Sequence, residues 1–195
     1  MRHRAIVQAG HNEKLDPIFR RVFRRLYGLP CWNVKGGYGG FLTFEFGQPH
    51  LHVDEPHEPR GEVSLRMRRL FAHRHVYVRG DWHLWIYCCD WFVYESGKLV
   101  GECSSKSRIQ RAAWALDGQK LIAVSIIPRG THSIFEFDLG GRLETKPYDR
   151  KSEQWMLFDP SGRVLTFRAD KMYSYHSADK APEEDDWRPI VVRTA

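Results

Sequence analysis

Apolar and polar positions alternate with a period of two along most of this chain, which marks strands. The densest apolar stretch runs from Asp81 to Tyr94. Within it Trp82, Leu84, Ile86 and Cys88 point one way, and His83, Trp85, Tyr87 and Cys89 the other. Both faces are largely apolar, so the pattern predicts a strand covered on both sides. Strands usually stop after five or six residues, so the run is expected to bend at Cys88-Cys89-Asp90 and restart at Trp91. Glu95-Ser96-Gly97-Lys98 supplies a hairpin turn, and Leu99 to Cys103 returns as a third strand. A second three-strand meander is expected near the C-terminus: Gln154–Phe158, the turn Asp159-Pro160-Ser161-Gly162, Arg163–Arg168, a turn at Asp170-Lys171, and Met172–His176.

Two segments switch to a helical period. Asp16-Pro17 provides an N-cap and a first-turn proline, and Gly28 a stop. Between them Ile18, Phe19, Val22, Phe23 and Leu26 line one side, and Arg20, Arg21, Arg24 and Arg25 the other. Burying five such side chains is worth on the order of 10 kcal/mol before entropy, so the helix is expected to pack on a sheet. The second helix is expected to open with a capping box at Ser107-Arg108-Ile109-Gln110 and to run to Leu116, with Gly118 as its stop. The two helical segments align at an offset of 90, and Phe44-Glu45-Phe46 aligns with Phe135-Glu136-Phe137 at an offset of 91. Aligning the meanders sets the segment around Trp85 beside the one around Trp155. These offsets predict an internal duplication.

The predicted fold is α+β and mainly antiparallel, with two similar halves at 15–105 and 106–178 that share one core. Each half lays one helix on a sheet. Residues 1–14 read as a flexible basic arm. Residues 179–195 read as an acidic tail, with Ile190-Val191-Val192 docking as a final strand. Leu65 to Val78 reads as a strand with a twisted or exposed start, preceded by a polar loop over 54–61.

Composition narrows the class. The chain has 195 residues, of which 42% are hydrophobic and 13% aromatic, which suits a packed core rather than disorder. No run of eighteen apolar residues occurs and no apolar signal segment follows the N-terminus, so no membrane span is expected and a cytoplasmic location is. The four cysteines (Cys31, Cys88, Cys89, Cys103) sit within strand patterns and are expected to be reduced and buried. The net charge of +6 is uneven: residues 1–80 carry 14 basic against 7 acidic side chains, and the remainder 16 against 17.

Charge and histidine placement nominate two candidate chemistries. His50, His52 and Asp54, with His57 nearby, form an HxHxD pattern of the sort that holds zinc in metallo-β-lactamase-like hydrolases. Glu55 stands here where a further histidine would be expected. Arg20, Arg21, Arg24 and Arg25, joined by Arg66, Arg68, Arg69 and Arg74, form a candidate nucleic-acid or anion contact. No nucleophile elbow, protease cysteine box or phosphate loop is present, and no cofactor is expected. The leading expectation is a non-catalytic intracellular module that binds another protein, of the bacterial immunity or inhibitor kind. The alternatives are a nucleic-acid-associated accessory protein using its basic helix, and a metal-dependent hydrolase at His50, His52 and Asp54.

Overall fold

The computed structural model describes residues 16–59, 61–127, 131–180, 183 and 186–191; the expected arm at 1–14 lies outside them. The elements in order are α1 (Pro17–Phe23), β1 (Cys31–Gly36), β2 (Leu42–Phe46), β3 (His50–Asp54), α2 (Leu65–Phe71), β4 (His75–Arg79), β5 (Trp82–Ile86), β6 (Asp90–Glu95) and β7 (Lys98–Glu102). There follow α3 (Lys106–Leu116), β8 (Leu121–Ile127), β9 (His132–Phe137), β10 (Gly141–Lys146), β11 (Glu153–Phe158), β12 (Arg163–Arg168), β13 (Met172–Ser177) and β14 (Arg188–Pro189). The class is α+β with antiparallel sheets. One sheet has seven strands in the order β1-β2-β5-β11-β12-β13-β14, a second has five in the order β7-β6-β10-β9-β8, and β3 pairs with β4 in a separate ribbon.

The first expected meander does not form. The chain bends at Cys88, whose φ is +50°, but it then crosses to the other sheet. β5 stays between β2 and β11, while β6 and β7 join the five-stranded sheet. Periodicity cannot tell a strand that turns to its neighbour from one that changes layers, because inner faces look alike in sequence. The later meander, β11-β12-β13, does form. The halves 15–105 and 106–178 therefore do not own a sheet each; both sheets take strands from both.

The mixing is regular. When β1, β2, β5, β6, β7 are set against β8, β9, β10, β11, β12, each sheet contains the first three strands of one series and the last two of the other. In this correspondence the partner of Trp155 is Trp91, not Trp85. Trp91 and Trp155 are both fully buried, whereas Trp85 is half-buried and lies opposite Met156 on the neighbouring strand. The loops after α1 and α3 also bond to each other reciprocally. Gly28 N–H donates to Leu121 O and Gly118 N–H to Cys31 O, both at 2.8 Å. Cys31 N–H donates to Gln119 O (2.9 Å) and Leu121 N–H to Leu29 O (3.2 Å). Each bond maps onto its mate by a shift of 90 residues, about the bridge between Pro30 and Lys120.

The inner faces of the two sheets meet in one core. Phe44 stacks on Phe137 with ring centroids 6.2 Å apart, and Trp155 meets Phe135 edge-on at 5.9 Å while donating to Ser133 Oγ at 2.9 Å. α1 covers one end: Phe19 sits edge-on to Trp155, Phe167 and Tyr173. α3 covers β1, β6 and β7 and lies so close to β7 that a Cβ on Gly101 would fall 2.6 Å from the Ala112 Cβ. Its N-cap is Ser105, whose hydroxyl accepts from Arg108 N–H, two residues before the expected capping box. Both serines suit the role, and the helix takes the earlier one, which lengthens it by two residues. The C-terminal strand docks at Arg188–Pro189 on β13, slightly ahead of the expected Ile190-Val191-Val192, and Val191 N–H donates to Asp16 Oδ2.

The stretch Leu65–Val78, expected as one strand, is instead α2 followed by β4. Ser64 caps α2 by accepting from Met67 N–H, and Leu-Arg-Met-Arg-Arg-Leu consists of strong helix formers. The β-branched residues that favour strands begin only at Val76.

Candidate functional site

One stretch of the chain stands apart from the two large sheets. β2 and β5 pair directly up to Phe46 and Trp82, yet the chain between them leaves the sheet and returns only at Asp81. This excursion contains β3, α2 and β4. Its root is clamped. Asp81 Oδ2 accepts from Gln48 N–H (2.8 Å), Trp32 Nε1 donates to Gly47 O (3.1 Å), and Arg25 lies over the Trp82 ring at 5.0 Å. The crossing is so close that a Cβ on Gly80 would stand 2.5 Å from Phe46 O. Glu45, 3% exposed, accepts from Gly80 N–H (2.9 Å) and pairs with His83 Nδ1 (2.8 Å).

Beyond the root, no described residue from 48 to 79 is buried. Strand alternation divides the ribbon into two faces. Leu51 pairs with Val78 and Val53 with Val76, which makes one face aliphatic. All four side chains are exposed, Leu51 to 71%. On the other face His50 pairs with Arg79, His52 with Tyr77 and Asp54 with His75. α2 rests on this polar face. His57 N–H donates to Phe71 O (3.0 Å), His75 Nε2 donates to Leu70 O (2.9 Å), and the His57 ring lies 4.8 Å from that of Phe71. Arg74 pairs with Glu55 at 2.8 Å. A hollow of about 300 Å³ remains between helix and ribbon. Leu65, 72% exposed, and Met67 face solvent on a helix that buries no residue fully, while Leu70 borders the hollow.

The candidate metal ligands do not converge. His50, His52 and Asp54 share a face, but His52 Nε2 and Asp54 Oδ1 satisfy each other at 3.0 Å. His57 lies beyond the end of the strand, with Nδ1 on Glu55 O and its ring on Phe71. Among the described residues no group of three or more His, Cys, Asp or Glu is disposed to hold a metal ion. The candidate arginines fall into two groups. Arg20 and Arg21 lie on the outer side of α1, Arg24 and Arg25 lie in the turn after it because the helix ends at Phe23 rather than running to Gly28, and Arg66, Arg68 and Arg69 lie on the excursion. None of Arg66, Arg68 and Arg69 makes an ion pair among the described residues.

Two further features escaped the sequence. The first is the Glu45–His83 pair, whose members are 38 residues apart and adjacent only because β2 and β5 pair. It borders a cleft of about 570 Å³ at the excursion's foot, with His50, His52, Arg79 and Arg163 around it. No serine, threonine or cysteine lines that cleft among the described residues. The second is the partial exposure of two thiols: all four are free as expected, but only Cys31 and Cys89 are buried, while Cys88 and Cys103 are partly exposed. Burial, aided by Asp117, pushes Cys31 up to about 12, and burial also raises Cys88, Cys89 and Cys103. Among the described residues no helix is long and apolar enough to cross a membrane. No protein-family model matches this sequence, and no curated protein or solved structure matches it significantly.

Proposed function

We propose that this chain is a non-catalytic protein-binding module: a rigid framework that presents the β3–α2–β4 excursion to another protein. One observation carries the reading. The excursion exposes Leu51, Val53, Val76 and Val78 as one aliphatic face, while burying no described residue of its own between 48 and 79. Apolar patches of this kind on a soluble surface mark interaction sites. Nucleic acid would not cover them, since its contacts are phosphates for arginine and bases for aromatic rings. An immunity or inhibitor role, inside the cell, is the form of this function we favour, because a clamped projecting element suits insertion into a partner.

The framework itself we read as a doubled unit, 15–105 and 106–178, whose copies have exchanged their last strands. The reciprocal bonds about Pro30 and Lys120 support this reading. The excursion is then an insertion into one copy.

A photo-crosslinking residue placed at Leu51, at Met67 or, as a control, at Leu139, which is as exposed as Leu51, tests the function in the cells that make the protein. The expected result is one protein crosslinked at Leu51 or Met67 and not at Leu139. Once purified, it should bind the intact chain and not a chain lacking 48–79. Crosslinks equal at all three positions, or binding that survives the excision, would refute the reading.

A further inference from the structure

We propose that α2 and the hollow beneath it receive an acidic segment of the partner protein, with one apolar side chain seated in the hollow and carboxylates on Arg66, Arg68 and Arg69. The inference rests on the protein-binding reading and names the chemistry of the partner.

Charge complementarity is the first argument. α2 contains three arginines and no acid, and none of the three is engaged in an ion pair among the described residues. The acids nearest the hollow are already committed, Glu55 to Arg74 and Asp54 to His52. Glu58 and Glu62, on the loop before the helix, leave the balance positive. Planar guanidinium groups bind carboxylates in paired, directional hydrogen bonds, so unpaired arginines on the helix above the hollow, with Arg68 in the adjoining hollow across His57, favour acidic chains.

Size and lining are the second. At about 300 Å³ the hollow lies at the lower limit of small-molecule sites, and suits a single leucine or aromatic side chain rather than a cofactor. Its walls are Leu70, Phe71 and Tyr77 with His57, His73 and His75, and its two carboxylates, Asp54 and Glu55, are already held by His52 and Arg74.

The chain's own acidic tail is a poorer occupant. Its apolar anchor, Trp187, is stacked under Arg168 at 4.3 Å, and the residues that follow pair with β13. A second copy as a whole is disfavoured as well, since each carries a net charge of +6.

The probe is a phage-displayed library of random twelve-residue peptides, selected in parallel on the full chain and on its Arg66→Glu/Arg68→Glu/Arg69→Glu variant. The expected winners place Asp or Glu around a Leu, Phe or Trp and are enriched only on the unaltered chain. In fluorescence anisotropy the best peptide should lose about tenfold or more in affinity on the triple Glu variant, and keep most of it on the triple Lys variant. Tyr77→Ala should weaken it; Leu51→Asp/Val78→Asp, on the opposite face, should not. Circular dichroism melts confirm that each variant is folded. Winners without acidic residues, no winners, or winners equally tight on the triple Glu variant would overturn the inference. So would tighter, arginine-dependent binding of a single-stranded RNA 30-mer, or arginine-dependent self-association. If a crosslinked partner still needs residues 48–79 but is indifferent to the arginines, this inference fails and the protein-binding reading stands.

Discussion

Two connections stand at corresponding places in this fold and could hardly differ more. Between β9 and β10 the chain turns in three residues, Asp138-Leu139-Gly140. Between β2 and β5, which pair just as directly, it runs out through a ribbon and a helix before returning. A short turn is thus sufficient to join such strands, and the longer path is not required to close the sheet. The two regions also spend their apolar residues differently. The framework hides Phe19, Phe44, Trp91, Trp155 and Phe167 completely, whereas the excursion leaves Leu51, Leu65 and Val76 in water. Burial explains the first set by stability; the second set needs another reason, and association supplies it.

This contrast can be broken most decisively in the core. Trp91→Ala and Trp155→Ala should each cost roughly 3–5 kcal/mol in urea unfolding, and by similar amounts, since the two occupy corresponding strands. A cost near zero for either would undo the correspondence. Excising 48–79 leaves Gly47-Gly80-Asp81 between the paired Phe46 and Trp82, the same length as the turn between β9 and β10. That shortened chain should fold and melt within about 5 °C of the intact one, the shift expected for roughly 1–2 kcal/mol. Collapse of the sheet signals on excision would show that the excursion is structural.

Single changes on the excursion should be smaller still. Leu51→Ser or Val78→Ser is expected within about 0.5 kcal/mol of the parent, because neither position is buried. Its amides should also exchange with deuterium well before those of β11 and β12. The smallest effect concerns Asp159, in the turn between β11 and β12. Burial works to raise its pKa, but hydrogen bonds from Ser161, Tyr175 and the Arg163 and Ser161 amides outweigh it and hold the carboxyl below its usual range. A depressed pKa contributes stability above the unfolded value of about 3.9, lost as pH falls through the folded value. Asp159→Asn should therefore lower stability at neutral pH and flatten its decline below about pH 4, while excision of 48–79 leaves that decline unchanged.

The elements were largely legible. Although the helix α1 ends at Phe23 and the chain reaches Gly28 through turns, its capped start and the division of its turns into apolar and arginine sides follow from spacing alone. So does the β11-β12-β13 meander, whose turn at Asp159-Pro160-Ser161-Gly162 admits few alternatives. The excursion was legible only in pieces. Its residues alternate as core strands do, so nothing in the pattern shows that Leu51 and Val78 face water. α2 was missed because seven residues give too little periodicity to outweigh the strand signal that follows. The Glu45–His83 pair has no local signature, since its members meet only across β2 and β5.

The amino-acid order alone therefore determined which segments are helix or strand, where most of them end, and that helix and strand signals recur at a spacing near ninety residues. These properties depend on backbone preferences and on neighbours a few positions apart. Only the tertiary structure decided which sheet each strand joins, that Trp91 and Trp155 are fully buried while Trp85 is not, and that one aliphatic ribbon is left uncovered. Those outcomes depend on which surfaces meet across the core, and a hydrophobic pattern specifies that a face seeks cover without specifying what covers it.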